Sequence, residues 1–277
     1  MDQPLVSVII PVYSNARFLG AAIDSALAQT HPAIEVIAVD DGSIDGCADV
    51  LAGYGERIRC LRQPNGGPSI ARRRGAEAAR GEYLALLDAD DVWDTHKIAR
   101  QIDLMQRIPE AVATYCDHRR IDADGRVIAA SGACYGLRGS GRIFDALLRG
   151  NFILTASVML MRRDAYVRAG GFTDDRVFWG DDFSLSLRLS TCGAILYQAE
   201  TLVSYRQHGA NTSGSKYEQS RGDAHAFDVL VRHLRANGDS TLLPAARQAR
   251  RRAYIAAAWH CRKRGEYRRA LRYRLQA

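Results

Sequence analysis

Three carboxylates stand within four positions at Asp88, Asp90 and Asp91, directly behind a largely apolar run at 83–87. Such a run reads as a buried strand that delivers charge at the edge of a sheet. Side chains alternate along a strand, so Asp88 and Asp90 are expected on one side and Asp91 on the other. Two carboxylates on one side make a hard, oxygen-rich site. It suits Mg²⁺ or Mn²⁺, held by one or two protein carboxylates with phosphate oxygens completing the shell. A solvated loop with helix-capping aspartates has the same residues, and this motif alone does not separate the two.

A second candidate lies at 63–75, where a glycine-rich loop (QPNGGP) opens a helix carrying Arg72, Arg73 and Arg74. Backbone amides at a helix N-terminus, glycines that permit close approach and guanidinium groups together favour a phosphate. An arginine run alone is more often the mark of a solvated face. No GxGxxG or GxxxxGK[ST] pattern occurs, so neither a dinucleotide fold nor a P-loop is indicated. Asp181 and Asp182, within WGDDF, and His208, in the polar loop 205–213, complete the set. The acidic pair has a competing reading as helix caps, and the lone histidine as a structural residue.

The elements that must position these groups follow from the apolar pattern. Residues 5–10 read as a buried strand that stops at Pro11, which lacks a ladder donor, and the next loop carries Tyr13 to the surface. Apolar residues at helical spacing from 18 to 27 predict a helix, and 34–39 the next strand, which ends at Asp40 and Asp41. Strand, helix and strand at this spacing form a right-handed unit of a parallel sheet, with ligands at the carboxyl ends of its strands. A third strand is expected at 58–61, a helix at 69–80 closed by Gly81, and strands at 111–115 and 154–161. Leu185, Leu187 and Leu189 recur at a spacing of two, which locally suggests a strand. Beyond 217 the chain reads as helical, rich in alanine and arginine.

At 277 residues, with 47% hydrophobic and 25% charged residues, the chain can bury a sizeable core. No apolar run reaches 18 residues and no leader pattern opens the sequence, which predicts a cytoplasmic protein. Six scattered cysteines without a CxxC pair argue against a zinc cluster or disulfide framework. From residue 221 onward there are 14 Lys and Arg against 4 Asp and Glu, a net +10; the preceding residues hold 24 against 27, a net −3. The basicity belongs to the tail.

With PVY at 11–13, VDDGS at 39–43, NGGPSIARRRG at 65–75, LDADD at 87–91, GGF at 170–172, WGDDFSLSLRL at 179–189 and YRQHGANTS at 205–213, the sequence resembles the family 2 glycosyltransferases of GT-A fold. The match runs over roughly 5–215, and seven motifs in the family's order are specific where each alone is weak. The resemblance implies an α/β fold with a Rossmann-like, mostly parallel central sheet. It divides 1–215 into a nucleotide-binding half (1–115) and an acceptor-binding half (116–215), followed by a basic helical extension at 216–277. It implies inverting transfer from a nucleotide diphosphate sugar, as in polysaccharide or lipopolysaccharide assembly, with a divalent cation (Mn²⁺ or Mg²⁺). It also implies a helix after Asp182, against the local spacing.

By the same resemblance, Pro11, Tyr13, Asp41, Asn65, Gly66, Arg72, Asp88 and Asp90 bind the donor, Asp41 at its base. Asp90, Asp88 and His208 serve the metal, and Asp182 is the general base with Asp181 beside it. Two departures matter: relatives often carry Glu-Asp where this chain has Asp181-Asp182, and Asn where it has Arg73. The QxxRW motif of processive synthases is missing, which favours addition of one sugar at a time.

Two rival classes are a catalytically silent nucleotide-sugar-binding protein and a nucleic-acid binder using the basic tail. The full set of acidic positions speaks against the first, and the lack of a nucleic-acid motif against the second. The tail's Tyr254, Ile255, Ala258 and Trp259 fall at helical spacing among arginines. That pattern fits peripheral contact of 245–277 with an anionic membrane, at the inner face of the plasma membrane, where a saccharide or lipid-linked saccharide acceptor would be found. It also fits packing on the catalytic domain, with Gly265 breaking the helix.

Overall fold

The structure, a computed structural model, describes residues 3–130, 139–173, 179–209, 211 and 215–277. Cys134 and, in the 205–213 motif, Ala210, Thr212 and Ser213 lie outside the described residues. In chain order the first half contains β1 (Val6–Val12), α1 (Ala16–Leu27), β2 (Ile34–Asp40), α2 (Cys47–Ala52), β3 (Arg59–Arg62), α3 (Pro68–Ala78), β4 (Tyr83–Leu86), β5 (Val92–Trp93), α4 (Lys97–Arg107), β6 (Ala111–Ile121) and β7 (Val127–Ala129). The second half contains α5 (Phe144–Leu147), β8 (Met159–Arg162), α6 (Arg163–Arg168), α7 (Asp181–Cys192), β9 (Ala194–Arg206), α8 (Lys216–Ala236), α9 (Leu243–Lys263) and α10 (Tyr267–Gln276).

The sheet runs β3-β2-β1-β4-β8-β6-β9-β5, with β7 paired to β6. Its β3-β2-β1-β4 half is parallel throughout, as expected of buried strands joined by helices. Strand β8 pairs antiparallel with both β4 and β6, while β9 runs parallel to β6. Helix α3 lies so close on β1 that a methyl group at Gly75 would stand 2.5 Å from Ile9 Cγ2. The carboxyl ends of β1, β2 and β4 thereby meet at one edge.

Four local expectations are corrected. Strand β1 continues through Pro11, which sits opposite Val39 of β2. Pairing with β4 ends at Ile9 and Leu86, so the side toward which Pro11 would have donated has no neighbouring strand left to accept. Helix α3 ends at Ala78, and Gly81 is instead held in by its N–H donating to Ser7 Oγ at 2.8 Å. In the segment read as one strand at 154–161, a 3₁₀ turn (Ala156–Val158) precedes the short β8. The leucines of 185–189 belong to α7, a helix, as the family resemblance implied. Ser184, Ser186 and Ser190 are as buried as the leucines, so this helix has no polar face to reveal its period.

The basic tail packs inward on a small-residue face. Ala246, Ala249, Ala253, Tyr254 and Ala257 of α9 join the same hydrophobic cluster as β1, and Phe227 of α8 meets Phe183 of α7 edge-on at 5.6 Å. Gly265, at φ +78°, turns the chain back into α10. Among the described residues, no helix is long and apolar enough to cross a membrane.

Candidate active site

The β4 strand stops at Leu86, and the carboxylates that follow occupy a turn closed by Asp91 N–H donating to Asp88 O at 3.1 Å. Strand alternation does not extend to these residues, and the expected separation is corrected: Thr155 Oγ1 donates to both Asp88 Oδ2 and Asp91 Oδ2, while Asp90 reaches His208. Asp91 is completely buried. It accepts from Ser157 Oγ at 2.6 Å, from Thr155 Oγ1 at 3.4 Å and from the Arg206 N–H at 3.0 Å. Burial, followed by the charges of Asp90 and Asp88, pushes its carboxyl well above the usual range. Asp91 ties the turn to the end of β9, and its neighbours face the crevice.

Asp90 Oδ2 lies 3.0 Å from His208 Nε2 and 3.4 Å from Asn211 Nδ2. The Arg206 guanidinium donates Nε–H to Asp90 O at 2.9 Å and spans to Asp122 O at 3.2 Å, fixing the backbone beneath this pair. Asp90 is raised, first by burial and then by the charge of Asp88. Two adjacent ligands of one octahedral Mg²⁺ or Mn²⁺, each at about 2.1 Å, stand about 3 Å apart. The Asp90–His208 pair meets that spacing and presents one oxygen and one nitrogen donor, so it fits a divalent cation. Among the described residues, no cluster of three His, Cys, Asp or Glu is assembled to hold a metal by protein groups alone. A cation here would depend on oxygens brought by a ligand, the usual habit of Mg²⁺.

Both carboxylate oxygens of Asp88 are engaged by protein groups. Its Oδ1 accepts from Arg72 Nη2 at 2.5 Å, its Oδ2 from Thr155 Oγ1 at 3.3 Å, and its N–H donates to Ser157 Oγ at 3.0 Å. Arg72 is buried, and its Nη1 donates to Asp181 Oδ2 at 2.5 Å. One guanidinium thus joins the turn after β4 to the first residue of α7. Both carboxylates hold the arginine firmly charged against its burial.

Asp181 and Asp182 open α7 behind Gly180, whose φ of +82° is the left-handed geometry that glycine adopts freely. Protein surrounds Asp182 in the crevice, yet part of its surface still meets solvent. Burial, and then the Asp181 charge, pushes its carboxyl up to about 7, with Arg72 opposing the rise. A carboxylate with that value is poised to exchange a proton near neutral pH.

The glycine-rich loop is organised around an internal anion. Asp41 is buried, and its carboxylate accepts from the N–H groups of Gly66 and Gly67, each at 2.8 Å, and from Gln63 Nε2 at 2.7 Å. Two of the loop amides, those of Gly66 and Gly67, are thus already engaged by this aspartate. Asn65 stands exposed at the loop tip, Pro11 is partly buried at the end of β1, and Tyr13 is 48% exposed beside it. These residues line the same strand-end edge as Asp41.

The structure therefore brings Arg72, Asp88, Asp181 and Asp182 together, and Asp90 with His208 beside them. Sequence reasoning missed Asp91, Arg206, Thr155, Ser157 and Asn211 as supports. Arg206 and Asn211 flank His208 in its own motif, which is the one local signal they carry; Thr155 and Ser157 carry none.

The family described as glycosyl transferase family 2 matches residues 7–169. An uncharacterized glycosyltransferase of Rickettsia prowazekii is 31% identical over 230 residues, covering 78% of this chain and 68% of that protein. Among solved structures, S. aureus TarS 1–349 in complex with UDP-GlcNAc superposes with a TM-score of 0.67 at 14% identity, covering 98% of this chain and 90% of the other. The mannosyltransferase PcManGT from Pyrobaculum calidifontis, in complex with GDP-Man and Mn²⁺, gives 0.61 at 18% identity, covering 99% and 74%. These likenesses place the fold in the GT-A class. The chain belongs to glycosyl transferase family 2.

Proposed function

We propose that this glycosyltransferase moves a sugar, with inversion, from a UDP-sugar to the hydroxyl of a saccharide or lipid-linked saccharide acceptor. The observation that carries this reading is the Arg72 bridge. It draws Asp88, next to the Asp90–His208 pair, and Asp181, next to Asp182, into one crevice. An inverting displacement needs two such stations, one for the departing diphosphate and one for the incoming hydroxyl. The neighbours bound to UDP-GlcNAc and to GDP-Man with Mn²⁺ support a nucleotide-sugar donor and a divalent cation.

Asp182 takes the proton of the acceptor hydroxyl as its oxygen bonds to the anomeric carbon, while the bond from that carbon to the diphosphate oxygen breaks and the diphosphate leaves with the electron pair. Its elevated pKa makes it a competent base once pH exceeds about 7. Asp181, held by Arg72, keeps the α7 N-terminus in register with the donor side. Asp90 and His208 would hold the cation, which would neutralise charge on the diphosphate. Asp41 braces the loop that carries Asn65 and Gly66 against the nucleotide.

A thermal-shift and hydrolysis screen of nucleotide diphosphate sugars, with and without Mn²⁺, tests this. A tenfold tighter donor complex in Mn²⁺ corresponds to about 1.4 kcal/mol, readable as a higher Tm. Asp90→Ala should remove most of the metal-dependent shift. Donor affinity that is the same in EDTA and in Mn²⁺ would overturn the metal assignment, and absence of any donor response would overturn the reading.

A further inference from the structure

The tail helices bury one face and leave another bare. On α10, Ala270 is buried and Tyr273 partly so, against α9, whereas Tyr267, Leu271 and Leu275 are 68%, 60% and 79% exposed. These three recur every fourth residue and form one stripe along the outer side of the helix. At 100° per residue, Arg274 borders the stripe on one side and Arg268 and Arg272 on the other. Helix α9 repeats the pattern: Ile255 and Trp259 are 41% and 52% exposed, between Arg251 and Arg262 on one flank and Arg252 and Lys263 on the other.

Charge identifies the occupant. From Arg247 to the last residue there are eleven Lys and Arg and a single acid, Glu266, which is already paired with Arg269. Arg251, Arg262, Arg268, Arg272 and Arg274 have no carboxylate partner among the described residues. A second copy placed against this face would bring like charges together. A bilayer with anionic headgroups offers what both halves of the surface lack, negative charge for the arginines and an apolar layer for the stripe.

We propose that the outer face of α9 and α10 docks on an anionic membrane surface, with Tyr267, Leu271, Leu275, Ile255 and Trp259 entering the headgroup boundary and the arginines pairing with lipid phosphates. The helices lie along the surface, the inner face of α9 staying on the catalytic core and that of α10 on α9. This differs from the face suggested by residue spacing alone, because Tyr254 and Ala258 are buried in the protein.

The test is co-sedimentation of the full chain with phosphatidylcholine vesicles, with and without phosphatidylserine, at low and high salt, beside a Leu271→Glu/Leu275→Glu variant. The expected result is binding to the anionic vesicles at low salt, lost at high salt, absent with neutral vesicles, and weakened on the order of tenfold or more in the variant. Both leucines are exposed, so the variant should retain its Tm. Tryptophan emission should shift to the blue on anionic vesicles, and Trp259→Phe should abolish that shift. No binding at low salt, or binding that the leucine variant leaves unchanged, overturns the proposal. So does concentration-dependent self-association without vesicle binding, since a second copy would then be the occupant.

Discussion

Arg72 Nη1 stands 2.5 Å from Asp181 Oδ2, across 109 residues of chain. The same guanidinium reaches Asp88, so a single side chain from α3 closes the distance between the β4 turn and α7. Side-chain exposures of 8% for the arginine, 26% for Asp88 and 10% for Asp181 make this a sheltered triad. Breaking one member of a sheltered ion pair leaves an uncompensated charge, which costs far more than loss of a surface bridge. The positive charge also offsets the repulsion among Asp88, Asp181 and Asp182.

Arg72→Ala is accordingly expected to destabilise the fold by about 3–5 kcal/mol at neutral pH and by less in acid, where the stranded carboxylates protonate. Because Arg72 holds the Asp182 pKa down, its removal should move the rising limb of the activity profile to higher pH. Arg72→Lys should recover the charge and only part of the geometry, since one ammonium cannot bridge both carboxylates in a fork. Thermal unfolding and kcat/KM against pH measure both effects. A rising limb that does not move in Arg72→Ala would show that the arginine acts on structure alone.

Asp182→Asn should retain donor binding and lose transfer by on the order of 10² to 10⁴, the usual cost of losing a general base. In the wild type, kcat/KM should rise with pH through about 7, as Asp182 ionises. The stability consequence has the opposite sign. Its folded pKa lies above the unfolded value of about 4, so its contribution is fully present below pH 4 and is lost as pH rises through about 7. Asp182→Asn removes that loss, and above pH 7 it should be more stable than the wild type by on the order of 1–3 kcal/mol, moderated by the solvent that reaches the crevice. If Asp181→Asn abolished transfer and Asp182→Asn did not, the base would be the other carboxylate.

The parallel half of the fold was readable because its strands are continuous apolar runs, and residues 6–10, 36–39 and 83–87 are buried almost without exception. Helix α7 was unreadable from spacing for the converse reason. A helix enclosed on all sides has no polar face, and Phe183, Leu185, Leu187 and Leu189 then mimic a strand. Motifs named most of the residues that meet in the site, but not what each touches. Arg72 in its ARRRG run looks like a phosphate ligand or a solvated cation, and only the fold decides that it faces Asp88 and Asp181. The carboxylate of Asp41 likewise turns toward Gly66 and Gly67, a long-range hydrogen bond that no spacing rule contains.

The α7 N-terminus is also held in place from outside, by the close approach of Gly222 and Gly180. Helix α8 crosses the loop before Asp181 backbone against backbone: a methyl group at Gly222 would stand 2.9 Å from Trp179 O, closer than a Cβ contact tolerates. Gly222→Ala must therefore push Trp179 and Gly180 away, and with them Asp181 and Asp182, relative to Arg72. Overpacking of this kind costs about 1–3 kcal/mol. A displacement near 1 Å at a reacting group costs on the order of 10²-fold in rate. Transfer to acceptor should fall accordingly, while metal-dependent donor binding, which rests on the Asp90–His208 pair held by β9 and the turn after β4, stays within a few-fold of wild type. Gly150→Ala is the matched control, because its Cβ meets nothing within 4 Å. Steady-state transfer kinetics and donor titration of the two variants check the separation. Equal loss of donor affinity and transfer in Gly222→Ala would mean that the glycine crossing supports the whole crevice rather than the base alone.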